Sequence, residues 1–486
     1  MNPDAGLAPA DWLVLAGYGL TVLTLGWWAG RGATTRKSLF VGGGAMPVWA
    51  IAVSVVATSA SGATFIGGPQ ASYDGNLTYL SASVASVLGA VLVAILLLPR
   101  ILQGGATTVY ECIGRAHGPL AQKACAVAFL AGRVLASGSR LYIAALPCSL
   151  VVFGETAAWQ VAVSAVVLGI CATAYAAYGG IRAVIWTDTL QAVVVVAAVA
   201  IAIGLLWSEL GPDTARAGEL LTESGKLRFI DARLDLSAPF GIWTILLGLT
   251  LFNAAAFGTD QDLAQRLLTT DSPKRAAWSL IASSLLGIGL VGLFLVVGLL
   301  LYLRDTTQAE AASGDTRDVF LVFILSDLPV GVRGLLVAGL FAAAMSSTDS
   351  ALNGMSSSLV IDLHLLGGAK GDARGVRLMN AACGLLLTAC AVAFAVAEAG
   401  SAEGLIPFAL GVMVYAYAGL LGVFISTLLF RRGSAASVCA ALLTGAAVVA
   451  GLQFVPESPP AFGWRMLLGT AASTAVCLLA WSRDRH

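Results

Sequence analysis

The sequence contains few charged residues and few residues of the kinds that bind metals. Charged side chains make up 11% of the 486 residues, the formal net charge is zero, and there are three histidines. Because there is no basic tract, nucleic acid is not expected as a partner. The eight cysteines never form a Cys-X-X-Cys pair, and the histidines lie far apart along the chain. We therefore predict neither a zinc site nor a haem site.

Two further absences exclude classes of active protein. The sequence has no P-loop of the form GxxxxGK[ST], and the longest stretch between apolar segments, 208–239, is too short and too charged to fold as a domain. No nucleophile, base and oxyanion-stabilising group occur together, so we predict that the protein is not an enzyme and uses no cofactor. Any solute that it moves must be driven by an existing gradient rather than by ATP.

Apolar residues are abundant: 58% of the residues are hydrophobic, and the mean hydropathy is +0.87. This composition predicts an all-α polytopic membrane protein embedded in the lipid bilayer. Apolar runs close to 20 residues long predict about thirteen transmembrane helices. The predicted helices centre on residues 12–29, 47–68, 77–98, 124–151, 159–178, 183–207, 240–258, 278–303, 335–363, 378–396, 405–430, 435–454 and 466–481.

The distribution of Lys and Arg predicts the orientation of these helices. If the N-terminus is outside, the short loops on the cytoplasmic side carry most of the basic residues, as the positive-inside rule requires. We therefore expect a multi-pass protein of the cell (inner) membrane with its N-terminus outside and its C-terminus in the cytoplasm. The first apolar segment has no basic residues before it and is followed by RGATTRK, so it is interpreted as a retained helix, not a cleaved signal peptide.

An aspartate and a glutamine interrupt the sixth apolar segment. Asp188 and Gln191 lie within GGIRAVIWTDTLQAVVVVAA, and a carboxylate inside the bilayer is costly enough to indicate an ion or solute pathway. The alternative is a position at the membrane interface, which Arg182 and Trp186 would also suit. Residue types alone leave both interpretations open.

The second apolar segment contains AVSVVATSASGATFIGGP, which is rich in small and hydroxylated residues. Gly62 lies near its middle, and Gly67, Gly68 and Pro69 follow. Such a helix is easily interrupted, and freed backbone carbonyls at an interruption can coordinate a hard cation. Close helix packing through small residues explains the same composition.

The ninth apolar segment is unusually rich in oxygen atoms. It contains seven hydroxyl residues together with Asp349 and Asn353. Ser346 and Ser350 are four residues apart, so they lie on the same face of a helix. Hydroxyl and carbonyl oxygens are ligands that hard cations favour. Helices 2 and 9 together are therefore predicted to form a cation site.

Four motifs then make the sequence similar to a known family. ATSASGATFIGGP, GGIRAVIWTDTLQ, GTDQDLAQR and AAAMSSTDSALN resemble, in order and spacing, motifs of the sodium:solute symporter family. The resemblance implies sodium-coupled symport of a small organic solute (a carboxylate, sugar or amino acid) into the cytoplasm by alternating access. It also implies a LeuT-like fold in a single transmembrane domain, 1–486, with helices 2 and 7 broken. The expected parts are an extra helix in 1–30, five-helix inverted repeats in 47–207 and 240–430, and two final helices in 435–486.

The resemblance also implies ion ligands. The main sodium site would use the carbonyls of Ala57, Ala60 and Ala343 and the hydroxyls of Ser346 and Ser347. Some family members bind a second sodium, and the matching positions here are Asp188, Ser346, Asp349 and Ser350. Asp349 departs from a serine in that pattern, so the extra carboxylate could strengthen cation binding or make the site sensitive to protons.

The residues that indicate a solute site point to different classes of solute. Arg140 is deep enough in helix 4 to pair with a carboxylate; the alternatives are snorkelling to the interface or an ion pair with Asp188. Helix 3 has no counterpart of the glutamine in relatives that carry sialic acid. The resemblance further implies solute contacts from Ser59, Ser61 and Thr64, as in sialic acid carriers, and from Asn253, as in sugar carriers.

Other residues and functions are left as alternatives. Arg133 is interpreted as structural, and Gln261, Gln265 and Arg266 as an inner gate or a structural network. A channel should offer a selectivity filter or a charged ring, and none is found in the sequence. A proton-coupled transporter, or a solute sensor of the same fold, is the main alternative to sodium symport.

Overall fold

The structure is a computed structural model. It describes residues 7–31, 35–43, 46–102, 105–210, 214–308, 319–365, 373–397 and 405–479. Within these ranges the regular structure is entirely helical, with no β-strand.

Ten described helices are long and apolar enough to cross a membrane, or eleven if the bent pair Val48–Ser59 and Gly62–Gly75 counts as one span. Two shorter apolar helices, Ala158–Ala174 and Thr244–Gly258, lie where the fifth and seventh spans were predicted. Length and composition thus support a polytopic membrane protein, while the count of thirteen spans stays a prediction. The helices are α1 Pro9–Gly30, α2a Val48–Ser59, α2b Gly62–Gln70, α3 Thr78–Ile101, α4 Pro119–Phe153, α5 Ala158–Ala174, α6 Gly179–Leu210, α7 Thr244–Gly258, α8 Pro273–Thr306, α9 Val332–Ile361, α10 Arg374–Ala397, α11 Ile406–Leu429, α12 Ala435–Phe454 and α13 Phe462–Leu479.

Short helices connect several of these elements. The one that matters for the site is Gln261–Leu267, which follows α7. The others are Arg36–Val41, Glu111–His117, Thr214–Glu223 and Val319–Ser326.

The helix α2 is broken at its centre, as predicted. Ala60 (φ −81°, ψ 99°) and Ser61 (φ −98°, ψ 176°) are extended, and the two halves are bent by 65°. The carbonyls at the end of a helix lack partners within that helix. The break therefore leaves the carbonyls at the end of α2a available to other groups inside the protein.

A second break follows α7. Thr259 and Asp260 leave the helical conformation, and the Asp260 side chain caps the next helix by accepting a hydrogen bond from the Asp262 amide. The breaks in α2 and after α7 occur in the first helix of each predicted five-helix repeat. This correspondence is what an inverted-repeat transporter requires, although the exact repeat boundaries stay predictions.

Glycine permits a sharp turn at the start of α6. Gly180 has φ 60° and ψ −175°, a conformation that is nearly exclusive to glycine. A Cβ atom at this position would lie 2.7 Å from the carbonyl oxygen of Leu39. Glycine therefore allows the chain to turn at this position while it lies against the backbone of Leu39.

The oxygen-rich helix α9 lies at the centre of the bundle. It packs against α6, α4 and α1. In the most apolar 18-residue stretch of α9, 83% of the residues are buried, compared with 11% in the corresponding stretch of α1. Large apolar side chains are exposed on peripheral helices, for example Leu385 and Leu443, where lipid would surround them. The hydroxyl groups of α9 are thus enclosed by protein and can contact other protein groups.

Candidate ion and solute site

The α2 break and α9 meet through hydrogen bonds between residues far apart in the sequence. The Ser346 hydroxyl donates to the Ala57 carbonyl (2.9 Å) and to the Ala343 carbonyl (3.1 Å). Three of the five groups predicted for the main sodium site therefore lie together. Both helices contribute, so the contact depends on the break in α2 as well as on the serines of α9.

The remaining two predicted groups are arranged differently. The Ser347 hydroxyl donates to the Thr58 carbonyl at 3.0 Å, and Thr58 was not among the predicted residues. Ala60 lies at the break and lines the adjacent cavity, and its amide donates to the Val56 carbonyl. A signal for Thr58 was present in the sequence, because any carbonyl in the last turn before an interruption becomes available.

One helical turn further along α9, a guanidinium group fills the space between the helices. Arg266 comes from the Gln261–Leu267 helix and is fully buried. Its Nη2 atom donates to Asp188 Oδ2 (2.9 Å) and to the Thr58 hydroxyl (2.6 Å), and it also contacts the Ser350 hydroxyl. Asp188 is likewise fully buried inside the protein.

The other contacts of Arg266 hold it firmly in place. Its Nε atom donates to the Ser54 hydroxyl (2.7 Å), and its Nη1 atom donates to the carbonyl (2.7 Å) and the carboxylate (3.2 Å) of Asp262. Asp349 is buried beside this group, with its Oδ1 atom 3.3 Å from the Ser350 hydroxyl. Arg266 therefore joins α2a, α6 and α9 to the segment that follows α7.

A second buried guanidinium lies close by. Arg133 of α4 forms ion pairs with Asp260 and, at 3.2 Å, with Asp262, and Tyr417 donates to Asp260. This network supports the structural interpretation of Arg133. Asp262 is shared between Arg133 and Arg266, so the two guanidinium groups fix the segment after α7 between α4 and α9.

A cavity of about 180 Å³ adjoins the α2 break. Four of the five predicted solute residues line it: Ser59, Thr64, Arg140 and Asn253. Ser61 differs, because it is buried at the start of α2b and does not line this cavity.

Arg140 has the chemistry to bind an anion in this cavity. It is partly exposed, and its Nη2 atom lies 3.3 Å from the Met413 sulfur. Among the described residues no carboxylate lies within 4.0 Å of it. The alternative ion pair with Asp188 is not formed, because Asp188 pairs with Arg266. Its guanidinium is thus available to an anionic solute.

Several cavity residues were missed by the sequence analysis. Tyr79, Ser83 and Ser86 of α3 and Ser283 and Ser284 of α8 line the cavity. The signal was the presence of hydroxyl groups within otherwise apolar segments. Helix periodicity alone could not show that these faces of α3 and α8 both line the cavity beside the α2 break.

Comparisons with known proteins agree with this geometry. The model of the sodium:solute symporter family matches residues 39–445. The sodium/sialic acid symporter SiaT of Proteus mirabilis is 27% identical over 367 residues, covering 73% of this chain and 71% of that protein. The sodium/glucose cotransporter of Vibrio parahaemolyticus is 25% identical over 484 residues, covering 94% of this chain and 88% of that protein.

A solved structure has the same architecture. It is described as the substrate-bound, outward-open state of a Na+-coupled sialic acid symporter, and it superposes with a TM-score of 0.86 at 21% identity, covering 97% of each chain. A match at this identity shows a common fold. It confirms the prediction of an all-α, LeuT-like architecture.

Proposed function

This chain belongs to the sodium:solute symporter family, and from that premise we propose which ion site and which solute class it uses. Membership makes it a sodium-coupled membrane transporter and not an enzyme. We propose that its coupling sodium binds where α2a ends against α9, and that its solute is a small organic carboxylate held by Arg140. The contact between Ser346 and the Ala57 carbonyl carries the first part of this proposal.

The chemistry of the α2–α9 contact suits a monovalent hard cation. Its oxygens are backbone carbonyls and serine hydroxyls, all neutral. A hydroxyl that now donates to a carbonyl can rotate and present a lone pair to a cation, and the carbonyl can do the same without rotating. Neutral ligands hold a single positive charge less strongly than carboxylates do, which favours an ion that must be released in every cycle. We propose that the ligands of this ion are Ala57, Ala60, Ala343, Ser346 and Ser347.

Arg140 favours an acid over a neutral sugar. Removing a guanidinium from water is costly unless an anion or several acceptors compensate, and a carboxylate matches its two parallel N–H groups. Sialic acid, named for one relative, has a carboxylate; glucose, named for the other, has none. The Arg140 environment therefore supports a carboxylate, whereas Asn253 is the feature that a sugar carrier would share.

The rest of the cavity favours a solute of low polarity. Much of its wall is apolar, including Leu249, Phe252 and Leu290. Two of its hydroxyls, on Ser59 and Ser283, already donate to carbonyls of their own helices at 2.8 and 2.6 Å. A polyhydroxylated sugar would find few free partners here. We therefore propose a small carboxylate with an apolar or lightly hydroxylated body.

The transport cycle follows from the position of the sodium. Sodium bound between α2a and α9 would join the two helices and shape the wall beside Ala60 and Thr64, which would raise affinity for the solute. The bundle would then reorient and release both to the cytoplasm. The orientation with the N-terminus outside, and a location in the cell membrane, are part of this proposal.

A screen of solutes, each with and without sodium, tests the proposal. Thermal unfolding of the purified chain, followed by uptake into proteoliposomes, would compare small carboxylates with their amides and with sugars. We expect stabilisation and uptake for a carboxylate in sodium, and neither for the matching amide nor in potassium. Sodium-dependent binding of a sugar but of no carboxylate would contradict the solute class, and binding without sodium would contradict the coupling.

A further inference from the structure

A lysine in the loop between α6 and α7 is buried against the end of the broken helix α2. The ammonium of Lys226 donates a hydrogen bond to the Tyr73 carbonyl and lies 4.2 Å from the centre of the Tyr302 ring. We propose that Lys226 is a latch that holds the outer halves of α2 and α8 in place, and that this contact must break before a solute can pass on that side. This inference rests on the proposed function, which supplies the solute cavity and the external position of the loop.

The local sequence directs Lys226 toward the helix bundle. The loop contains the helix Thr214–Glu223, which ends in a Schellman motif. In this motif Gly225 has φ 68°, a conformation that favours glycine, and the amide of Lys226 donates to the Leu221 carbonyl at 2.9 Å. Leu221 packs against the apolar core of the bundle. The lysine that follows the turn is therefore only 7% exposed, although it lies in a polar loop.

The outer halves of α2 and α8 are packed so closely that we expect them to move together. The Tyr73 hydroxyl donates to the Asp305 carboxylate at the end of α8 (2.7 Å). A Cβ atom on Gly298 would overlap the carbonyl of Pro69, so the two backbones are in direct contact. Both helices also line the solute cavity. A contact that fixes the end of α2 therefore fixes this part of the cavity wall.

The chemistry of the Lys226 contact suits a latch that opens and closes. Tyr73 lies in the turn Ala71–Gly75 that ends this part of α2, and carbonyls at the end of a helix attract a cation. The Tyr302 ring adds a cation–π contact. Among the described residues no carboxylate lies within 4.0 Å of the ammonium. Breaking a buried ion pair would leave two unpaired charges, whereas this contact releases only one charge, which water can then solvate.

Chemical labelling tests whether the ammonium is held in this contact. The purified full chain in lipid nanodiscs would be treated with an amine-reactive reagent, and the modification of each lysine would be followed by mass spectrometry. The reference is Arg228→Lys, which places an amine two residues further along, where the native side chain is 42% exposed. Lys226 should react at least about tenfold more slowly than this reference, because it reacts only when the contact opens. Equal rates would overturn the latch.

Variants of Lys226 test whether the contact holds the helix ends. Spin labels attached through p-acetylphenylalanine at the exposed positions Thr156 and Thr306 would report the distance between the loop after α4 and the end of α8 by double electron–electron resonance. Lys226→Met removes the charge and should raise the ratio of open to closed conformers about tenfold. Lys226→Arg keeps the charge and should preserve the wild-type distances, as should the matched control Arg228→Met.

The latch and the proposed function can fail separately, because neither the labelling nor the distance measurement requires sodium or a known solute. An unchanged distance distribution in a folded Lys226→Met protein, whatever its unfolding temperature, would overturn the latch and leave the proposed function intact. A solute screen without sodium-dependent uptake would overturn the proposed function, whereas a distance shift in Lys226→Met would still support the latch. If Lys226→Met fails to fold, the labelling rate of Lys226 in the wild type decides.

Discussion

Two oxygen clusters lie one turn apart on α9, and they differ in charge. The first, which we call the serine cluster, joins Ser346 and Ser347 to the carbonyls of Ala57 and Thr58 through neutral groups. The second, the arginine cluster, joins Ser350 and Asp188 around the guanidinium of Arg266. The helix and the residue types are similar, but the second cluster includes a carboxylate and a resident cation.

This difference shows how a protein can keep a site for a cation that binds and leaves apart from a buried ion pair that persists. Neutral oxygens suit a cation that binds and leaves, whereas a buried carboxylate needs a partner at all times, because an unpaired buried charge is very costly. Thr58 belongs to both clusters, since its carbonyl accepts from Ser347 and its hydroxyl contacts Arg266. The proposed sodium site and the arginine cluster are therefore joined through Thr58.

The largest expected effect comes from removing the serine cluster. In Ser346→Ala/Ser347→Ala, the sodium concentration for half-maximal stabilisation should rise at least about 100-fold, because two ligand oxygens are lost. Thermal unfolding over a sodium series at constant ionic strength would measure it. The matched control is Thr348→Ala/Ser356→Ala, which removes two buried hydroxyls of the same helix that contact only carbonyls of α9 in the structure.

An unchanged sodium dependence in the double serine variant would refute the assignment of the ion site. A similar loss in the control variant would show instead that α9 cannot tolerate the removal of hydroxyl groups.

The next effect concerns the solute and not the ion. Arg140→Gln should weaken binding of the carboxylate found by the solute screen about 30-fold or more, because a buried charge-assisted pair is worth at least about 2 kcal/mol. Sodium binding without solute should change little. Isothermal titration of solute at saturating sodium would measure the loss, and equal affinity in the variant would rule out Arg140 as the carboxylate partner.

A smaller effect is expected where the clusters meet. Thr58→Val keeps the shape and the backbone carbonyl but removes the hydroxyl that contacts Arg266. Sodium affinity should fall only a few-fold, because the carbonyl that faces Ser347 remains. A sodium titration of thermal stability would show this, and a loss as large as that of the double serine variant would mean that the two clusters act as one site.

The smallest effect comes from Asp362, a buried carboxylate directly after α9 whose hydrogen-bond partners are neutral: Thr108, Gln122 and Ser358. Burial raises the pKa of Asp362 from 3.8 to about 6. A raised pKa in the folded state means that this group's contribution to stability is complete below pH 4 and is lost as the pH rises through about 6. Asp362→Asn should flatten that part of the thermal-stability profile between pH 4 and 7. A profile that matches the wild type would refute this origin of the pH dependence.

Much of the fold was predictable because its signals are local. Apolar runs of membrane-spanning length, and the small residues around Gly62, indicated helices and the break in α2 without any knowledge of neighbours. The membrane class and the family followed from the same segments. The serine cluster was predicted in part, because Ser346 and Ser347 stand out in an apolar helix.

The arginine cluster was harder to predict. Asp188 and Arg266 are 78 residues apart, and the sequence placed Arg266 no more precisely than in a gate or a structural network. The pairing of Arg133 with Asp260 and Asp262 was likewise not anticipated. An ion pair between distant segments depends on which helix faces meet, and periodicity does not encode that.

The sequence by itself determined that this protein is a helical membrane protein, where α2 breaks and that α9 is rich in oxygen, because chain composition and local backbone preference decide these properties. The tertiary structure alone decided that Ser346 meets Ala57, that Arg266 and not Arg140 neutralises Asp188, and that Arg140 is free to face the cavity. Buried charges must be matched in three dimensions, and which charges are matched depends on how the helices pack.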